Sequence, residues 1–232
     1  MIYFTGDTHG EQDRLGRSAL RKLAPGDTLI ICGDFGFIWD SSSKEQKFLD
    51  KLSRMSFNIC FLDGTHENFE LLNTYPLVRY CGGKAHRIRP NVFHLLRGQV
   101  FEIENKTLFT MGGGEPPESL LMEDEELRSH RPEIPSKQDM LEAVENLQKH
   151  DYRVNYIVTH EPPASIRDFL TVDGYSQREM SALGAFLDEL SKTAHFDKWY
   201  FGSMHVDKFI SRSYTCVFQA LMPASTGEIV SE

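Results

Sequence analysis

Residues 1–9 of the chain read Met-Ile-Tyr-Phe-Thr-Gly-Asp-Thr-His. The apolar run at residues 2–5 predicts a short buried strand, and the chain passes directly from it into a polar cluster that contains Asp7 and His9. Four later apolar runs end in the same way, and the polar clusters that follow them are Gly33-Asp34, Gly64-Thr65-His66-Glu67, Thr159-His160 and Gly202-Ser203-Met204-His205. Because the carboxyl ends of neighbouring strands in an α/β sheet face one crevice, we expect these clusters to meet around a single point.

Short apolar runs alternate with amphipathic segments through the first third of the chain, which is typical of βαβ units. The runs at residues 28–32 and 57–62 predict two further strands. The apolar positions that mark the two intervening helices are Leu15, Ala19 and Leu23, then Phe48, Leu49 and Leu52. Ser42 with Glu45 resembles a capping box for the second of these helices. This order of elements predicts an α/β fold with a mostly parallel or mixed sheet.

The second half of the chain predicts a more varied pattern within the same domain. Hairpin-like, antiparallel strands are expected at residues 80–111, with a turn at Asn105-Lys106. Residues 112–136 are rich in glycine and proline and contain an acidic cluster, so they predict a long surface loop or small cap. Later helices are predicted around 140–147 and 180–190, and later strands at 154–159, 199–202, 209–212 and 214–219. We expect one domain over residues 1–232.

Composition and charge indicate which partners and which cellular location to expect. A formal net charge of −9 on 232 residues argues against a protein that coats nucleic acid, so a small partner is expected. The four cysteines include no Cys-x-x-Cys pair, which predicts reduced thiols. The polar residues that follow residue 5 leave no room for a secretory signal, and no apolar run approaches the roughly 20 residues that a membrane span needs. We therefore expect a cytoplasmic protein with no membrane partner, and the sequence does not indicate its oligomeric state.

Taken in order, the polar clusters resemble the signature of the calcineurin-like metallophosphoesterases, D-x-H … G-D … G-N-H-E … T-H-x-P-P … G-H-x-H. The resemblance extends from Asp7 to His205 and so covers nearly the whole chain. It implies a sandwich of two mixed β-sheets flanked by helices. It also implies hydrolysis of a phosphodiester or phosphomonoester by a water that two divalent metal ions, about 3.5–4 Å apart, activate.

The resemblance further implies a role for each polar cluster. By position, the ligands of the first metal would be Asp7, His9 and His205. Asp34 would bridge both metals, and His160 would belong to the second. His66 would stand near the leaving-group oxygen as general acid, a role that suits a side chain titrating near neutrality. Carboxylates with imidazoles suit manganese, which we expect first, and also iron, zinc or magnesium.

Two positions depart from the family pattern, and both affect the second metal. Thr65 stands where an asparagine is expected, and Ser203 stands where the first histidine of G-H-x-H is expected. A neutral hydroxyl is a far poorer ligand than an imidazole nitrogen, so we expect the second metal site to be weak or empty. Water, the substrate phosphate, Glu161 or His130 could fill the gap.

Two further segments allow both a structural and a functional interpretation. Between Glu70 and Glu102 there is no acidic residue, while the basic residues there are Arg79, Lys84, Arg87, Arg89 and Arg97. A solvated strand pair is the favoured interpretation, and phosphate capture by Arg87 and Arg89 is the alternative. Phe37 and Trp39 are expected to pack in the core, with stacking on a base as the alternative.

Two functional hypotheses follow. The first is an active phosphoesterase for a small phosphorylated substrate. The second is a catalytically weakened family member that serves as a phosphate-binding, nucleotide-binding or regulatory module, because two ligand positions of one metal are altered. A nuclease is a third candidate, against which the acidic charge argues. A haloacid-dehalogenase mechanism is excluded, because Phe61 stands where its nucleophilic aspartate would be.

Overall fold

The computed structural model describes residues 1–16, 20, 23–116, 131–171 and 180–226, which form two β-sheets flanked by helices. The strands of the first sheet are β1 (Ile2–Thr5), β2 (Thr28–Ile31), β3 (Asn58–Phe61), β4 (Leu77–Tyr80), β5 (Gly83–Arg89), β6 (Val92–Leu95) and β13 (Met222–Pro223). Those of the second sheet are β7 (Gln99–Ile103), β8 (Lys106–Met111), β9 (Arg153–Thr159), β10 (His195–Phe201), β11 (Lys208–Phe209) and β12 (Tyr214–Cys216). The α-helices are α1 (Ser43–Leu52), α2 (Phe69–Leu72), α3 (Lys137–Gln148), α4 (Ala164–Leu170) and α5 (Ala182–Thr193).

Both sheets are mixed, as predicted. The first has the order β13-β1-β2-β3-β6-β5-β4, and its strands β1, β2, β3 and β6 are parallel. The second has the order β11-β12-β10-β9-β8-β7, with β12, β10, β9 and β8 parallel. The antiparallel pairing predicted for residues 80–111 is confirmed within that segment, but β6 and β8 each also have a parallel neighbour outside it, β3 and β9. The hairpin of β7 and β8 is confirmed, but its left-handed turn residues are Glu104 and Asn105, one position earlier than predicted.

Apolar side chains divide these elements into four layers. The inner faces of the two sheets pack on each other, and the rings of Phe4 and Tyr200 stack across that interface with centroids 3.9 Å apart. On the outer face of the first sheet lies α1, which buries Phe48, Leu49 and Leu52. On the outer face of the second sheet lie α3 and α5. The result is a helix–sheet–sheet–helix sandwich.

The start of α1 differs from the predicted capping box. Ser42 does cap the helix, because its hydroxyl accepts a hydrogen bond from the backbone N–H of Glu45. The Glu45 carboxylate, however, accepts from the backbone N–H groups of Trp39 and Asp40 and not from that of Ser42. It thereby fixes the segment that leads into the helix.

Two predicted elements fall partly outside the described residues. Of the region of the first predicted helix, the described residues include a 3-10 helix at Gln12–Leu15, and the predicted position Ala19 is not among them. Of the predicted loop or cap at 112–136, residues 117–130 also lie outside them. Its two flanks meet through a backbone hydrogen bond from Gly114 to Glu133. Within the described ranges, no helix has the length and apolar character needed to cross a bilayer.

Candidate metal centre

The polar clusters identified in the sequence lie at one edge of the sandwich. Each follows the carboxyl end of a parallel strand: β1, β2 and β3 in the first sheet, and β9 and β10 in the second. Because β1, β2 and β3 are parallel to one another, as are β9 and β10, their carboxyl ends lie side by side, and the loops that follow can approach one another. The topology therefore gathers loops that are up to about 200 residues apart in the chain, as in the contact between His9 and His205.

Four side chains from these loops form one compact group of candidate metal ligands. Asp7, His9, Asp34 and His205 each offer a ligand atom, and the four atoms lie within 4.8 Å of one another. The Nε2 atoms of His9 and His205 are 3.0 Å apart, and Nε2 of His205 is 3.2 Å from an Asp7 oxygen. It is the one group of three or more His, Cys, Asp or Glu that the described residues bring together in this way.

The chemistry of this four-donor cluster fits a divalent cation. Two buried carboxylates and two exposed imidazoles provide oxygen and nitrogen donors, which suit manganese, iron, zinc or magnesium, and no thiolate takes part. The pKa of Asp7 is well below its usual range. Burial alone would raise it, but hydrogen bonds from His160 and His205 and the backbone N–H of Ser203 stabilise the ionised form. Asp7 therefore carries the negative charge that a metal ligand needs.

The backbone is left-handed at four residues of the site. The φ angles are 45° at His9, 46° at Asp34, 64° at Ser203 and 50° at His205. For residues other than glycine this conformation costs on the order of 1 kcal/mol or more each, and it recurs at functional sites. Here it turns each loop back sharply after its strand. The chain therefore accepts local strain where it points the candidate ligands toward a common centre.

Arg14 holds the Asp7 loop in place from behind. Its buried guanidinium donates to the backbone carbonyl of Asp7 at 2.9 Å and to that of Gly6 at 3.2 Å, and it also bonds the carbonyl of Phe218. On the opposite side, the backbone N–H of Ser203 donates to both oxygens of the Asp7 carboxylate, at 2.9 and 3.2 Å. Sequence reasoning did not identify Arg14, because nothing in its local pattern distinguishes it from a surface arginine.

His66 contacts Asp34 through both its backbone and its ring. Its backbone N–H donates to Oδ1 of Asp34 at 2.8 Å, and its Nδ1 lies 3.2 Å from Oδ2. The Thr65 hydroxyl is 3.1 Å from the same Nδ1. Because Nδ1 is engaged in this way, Nε2 is the ring nitrogen that remains available on the exposed side of the site.

Glu67 supports the Asp34 loop from within the protein. Its buried carboxylate accepts the backbone N–H of Phe35 at 2.7 Å and that of Gly36 at 3.4 Å. Burial, with the negative charge of Asp34 close by, raises the pKa of Glu67 well above its usual value. In the sequence, Glu67 was recognised only as part of the family motif. In the structure, its carboxylate holds the Asp34 loop in position.

His160 lies on the inner side of the cluster and is 1% exposed. Its Nδ1 is 3.2 Å from the backbone carbonyl of Cys32, to which it can donate, and its Nε2 is 3.8 Å from Asp34 Oδ1. Burial alone would lower the pKa of His160, but the charges of Asp34 and Asp7 raise it to about 10. A cation bound between these groups would displace the proton that this pKa implies.

The second metal position is less complete than the first. Among the described residues, two imidazoles from outside the four-donor cluster approach Asp34: that of His66 at 3.2 Å and that of His160 at 3.8 Å. The Thr65 hydroxyl faces His66, and Ser203 offers Asp7 its backbone N–H. The two residues considered as replacements are Glu161, which accepts the backbone N–H of Glu115 at 2.8 Å, and His130, which lies outside the described residues.

The two arginines considered for phosphate binding are not brought to this edge. Arg89 is the last residue of β5, which runs antiparallel to β6. It therefore lies at the amino ends of the parallel strands, opposite to the carboxyl ends where Asp34 lies. There its guanidinium donates to Asp50 at 2.8 Å and to Gln46 at 2.7 Å, both on α1. Arg87 is exposed on the same strand. Their part in substrate binding stays a prediction that these contacts do not favour.

A third arginine of the basic segment, Arg97, does lie near the site. It forms an ion pair with the buried Asp63, to which its Nε donates at 2.8 Å. Nε2 of His94 is 3.0 Å from the other oxygen of Asp63, and Nδ1 of His94 is 3.2 Å from that of His86. This buried network anchors the end of β3, two residues before Thr65.

The two aromatic residues that follow Asp34 have different environments. Phe37 is buried in the core beneath α1, where its ring stacks on Phe48, so the core-packing prediction is confirmed for this residue. For Trp39 the same prediction is wrong, because its side chain is 54% exposed. The chain turns outward between the two positions, since Glu45 and Asn68 hold the backbone of Trp39 at the surface.

Comparison with known proteins agrees with this geometry. The family model described as calcineurin-like phosphoesterase matches residues 1–210. No curated protein matches the chain. The family match includes all the clusters at the sheet edge, and members of this family use divalent metals to hydrolyse phosphate esters. The chain belongs to the calcineurin-like phosphoesterase family.

Proposed function

We propose that this protein is a metal-dependent phosphoesterase that hydrolyses a small phosphodiester or phosphomonoester by means of a metal-activated water. The observation that carries this proposal is the convergence of Asp7, His9, Asp34 and His205 within 4.8 Å of one another. Manganese is the metal proposed first, with iron, zinc or magnesium as alternatives. The acidic net charge of −9 supports a small substrate over a nucleic acid, and a cytoplasmic location remains part of the proposal.

The four-donor cluster would hold this metal. When bound, the metal supplies a Lewis acid that polarises the phosphoryl group and lowers the pKa of water. Asp34 is held in position for this role, because the backbone N–H of His66 donates to it and Glu67 fixes the loop behind it. The two buried carboxylates of the cluster also bring negative charge, which a divalent cation offsets before a phosphate can approach.

His66 acts as the general acid in this proposal. Its Nδ1 faces Asp34, so a proton on Nε2 is directed to the exposed side of the site, where a leaving-group oxygen would lie. The contact with the Asp34 carboxylate orients the ring. A histidine in this position can give its proton to the departing oxygen at neutral pH.

A catalytically weakened binding or regulatory module is the second candidate. Thr65 and Ser203, at two ligand positions of the second metal, favour it, because a site with one well-held metal loses part of the charge that stabilises the transition state. Such a protein would still bind a phosphate group at the four-donor cluster. The two candidates therefore differ in turnover and not in binding.

Turnover measurements separate them. The purified protein is incubated with increasing Mn²⁺ and with bis(p-nitrophenyl) phosphate or p-nitrophenyl phosphate. We expect Mn²⁺-dependent release of nitrophenol, reduced about 100-fold or more by Asp34→Asn. Asp50→Asn is the matched control, because this carboxylate pairs with Arg89 at the opposite edge of the sheet. Absence of turnover at every Mn²⁺ concentration would reject the enzyme and leave the binding module.

A further inference from the structure

A cavity of about 510 Å³ opens beside the candidate metal centre. The residues used below that line it are Trp39, Thr65, Asn68, Phe69 and Asn73. Sites for small molecules typically have volumes of about 300–1,000 Å³, so this space is large enough for the organic part of a substrate. Thr65 connects it to the metal centre, because the Thr65 hydroxyl lies 3.1 Å from His66 Nδ1, which is 3.2 Å from Asp34. We call this space the Trp39 cavity.

Trp39 presents a fixed but largely uncovered aromatic face. Its backbone N–H donates to Glu45 at 2.7 Å, and its carbonyl accepts from the Asn68 side chain at 2.7 Å. The indole is nevertheless 54% exposed, whereas that of Trp199 is 0% exposed in the core. Folding therefore anchors the Trp39 backbone without burying the ring. The apolar area of the ring is left to be covered by a ligand.

The charges around the cavity indicate which part of a substrate it would hold. Of the three carboxylates in its lining, Glu67 accepts from backbone N–H groups of the Asp34 loop and Glu133 pairs with Arg131, while Glu70 is exposed to solvent. Among the described residues that line it, there is no lysine or arginine. This part of the lining therefore offers a phosphate no counter-charge. An uncharged organic group fits it better.

The cavity also provides polar groups at its rim. The carboxamide of Asn73 makes no hydrogen bond to any other described residue and can serve as both donor and acceptor. The Phe69 ring on α2 adds a second apolar surface, over which the Arg97 guanidinium lies at 5.5 Å. An aromatic face combined with an adaptable amide suits a flat ring that has hydrogen-bonding edges.

We propose that the Trp39 cavity binds a planar aromatic group on the organic side of the phosphate ester, as in a nucleotide or an aryl phosphate. The ring stacks on the indole of Trp39, and its polar edge reaches Asn73. The phosphate then lies past Thr65, at the four-donor cluster. This inference rests on the proposed function for the place of the phosphate, and it adds a preference for aromatic over alkyl esters.

Tryptophan fluorescence provides a direct test, because the chain has two tryptophans and only Trp39 is exposed. Quenching by acrylamide is measured with Mn²⁺ present, while adenosine monophosphate, phenyl phosphate or glycerol phosphate is added. We expect the two aromatic compounds to protect Trp39 from the quencher and glycerol phosphate to give no protection. Protection by adenosine monophosphate alone would narrow the aromatic group to a nucleobase.

Calorimetry on variants tests the role of the ring. Trp39→Ala is expected to weaken the binding of adenosine monophosphate about 10-fold, and Trp39→Phe to retain most of the affinity. Leu141→Ala is the matched control, because Leu141 is 57% exposed on α3 and does not line the cavity. Equal affinity for adenosine monophosphate and glycerol phosphate, or unchanged affinity in Trp39→Ala, would overturn the proposal.

These experiments test the proposed binding at the cavity and the proposed catalysis separately. A protein that hydrolyses no ester but binds adenosine monophosphate through Trp39 would refute the proposed catalysis and support the cavity. A protein that hydrolyses esters but binds aromatic and alkyl phosphates equally would support the catalysis and refute the cavity.

Discussion

A single methyl group at Gly64 should disrupt the metal centre. Gly64 follows β3 in the loop that carries Thr65 and His66, and a Cβ atom built on it would lie 2.0 Å from Oδ1 of Asp34. It would also lie 2.5 Å from the backbone nitrogen of Asp34. A change of side-chain rotamer at Asp34 would relieve the first contact but not the second. Gly64→Ala must therefore move one loop away from the other.

The size of the effect follows from these distances. Ordinary contacts of a Cβ atom begin near 3.4 Å, so the shortfall at the Asp34 oxygen is about 1.4 Å. A displacement of about 1 Å at a reacting group costs roughly 100-fold in rate. Displacing a supporting group typically weakens metal binding by about 10- to 100-fold. Overpacking at this site would lower the free energy of unfolding by about 1–3 kcal/mol.

Gly16→Ala is the matched control, because a Cβ there meets nothing nearer than 3.5 Å and its φ of −103° suits alanine. Mn²⁺ affinity by calorimetry, hydrolysis of a phosphodiester and thermal unfolding are measured for both variants. We expect Gly64→Ala to remain folded, bind Mn²⁺ at least about 10-fold more weakly and lose most of its activity. A folded Gly64→Ala protein with wild-type Mn²⁺ affinity and rate would show that Asp34 is not a ligand.

Three other predictions follow from the same geometry. Thr65→Asn combined with Ser203→His should add bound metal and raise the hydrolysis rate, and unchanged metal content and rate would contradict the assignment of these positions. His66→Gln should slow hydrolysis of an alkyl ester about 100-fold or more but affect a nitrophenyl ester much less, since nitrophenolate departs without a proton; equal losses would exclude a general acid. Burial, with His94 close by, lowers the pKa of His86 to about 4 in the folded protein. As the pH falls, His86 is therefore protonated in the unfolded chain before it is protonated in the folded one. Urea unfolding should show about 2 kcal/mol less stability at pH 5 than at pH 7 from this group, and His86→Gln should remove that difference.

The parts of the site predicted from the sequence share a physical origin. A short apolar run that stops at a polar cluster marks a strand end, and parallel strands bring their ends to one edge whatever their separation in the chain. Asp7, Asp34 and His205 could therefore be expected to converge before any coordinates were known. Their supports could not, because the partners of Arg14 and Glu67 are backbone groups on other loops, and no local pattern records such contacts.

The errors in the fold have a related cause. The sequence of residues 80–111 predicts antiparallel hairpins, which are local, and it gives no sign of the parallel pairing of β6 with β3 from an earlier part of the chain. Trp39 was expected in the core together with Phe37, and it is exposed. Whether the chain turns outward before it depends on Glu45, whose carboxylate holds the backbone of Trp39 and not that of Ser42 as a regular capping box would require.

Ser203 and Thr65, which stand at ligand positions of the second metal, lie in loops whose backbone still supports the first metal position. At Ser203 the backbone N–H supports the Asp7 carboxylate, and the left-handed φ of 64° turns the loop toward the cluster. Both features need only a backbone, so replacing a histidine with serine removes a ligand and leaves the first metal position intact. At Thr65 the neighbouring backbone N–H of His66 still reaches Asp34. The first metal should therefore bind with an affinity that is largely independent of whether the second is restored, which calorimetric titration of the Thr65→Asn, Ser203→His protein would show as two distinct binding steps.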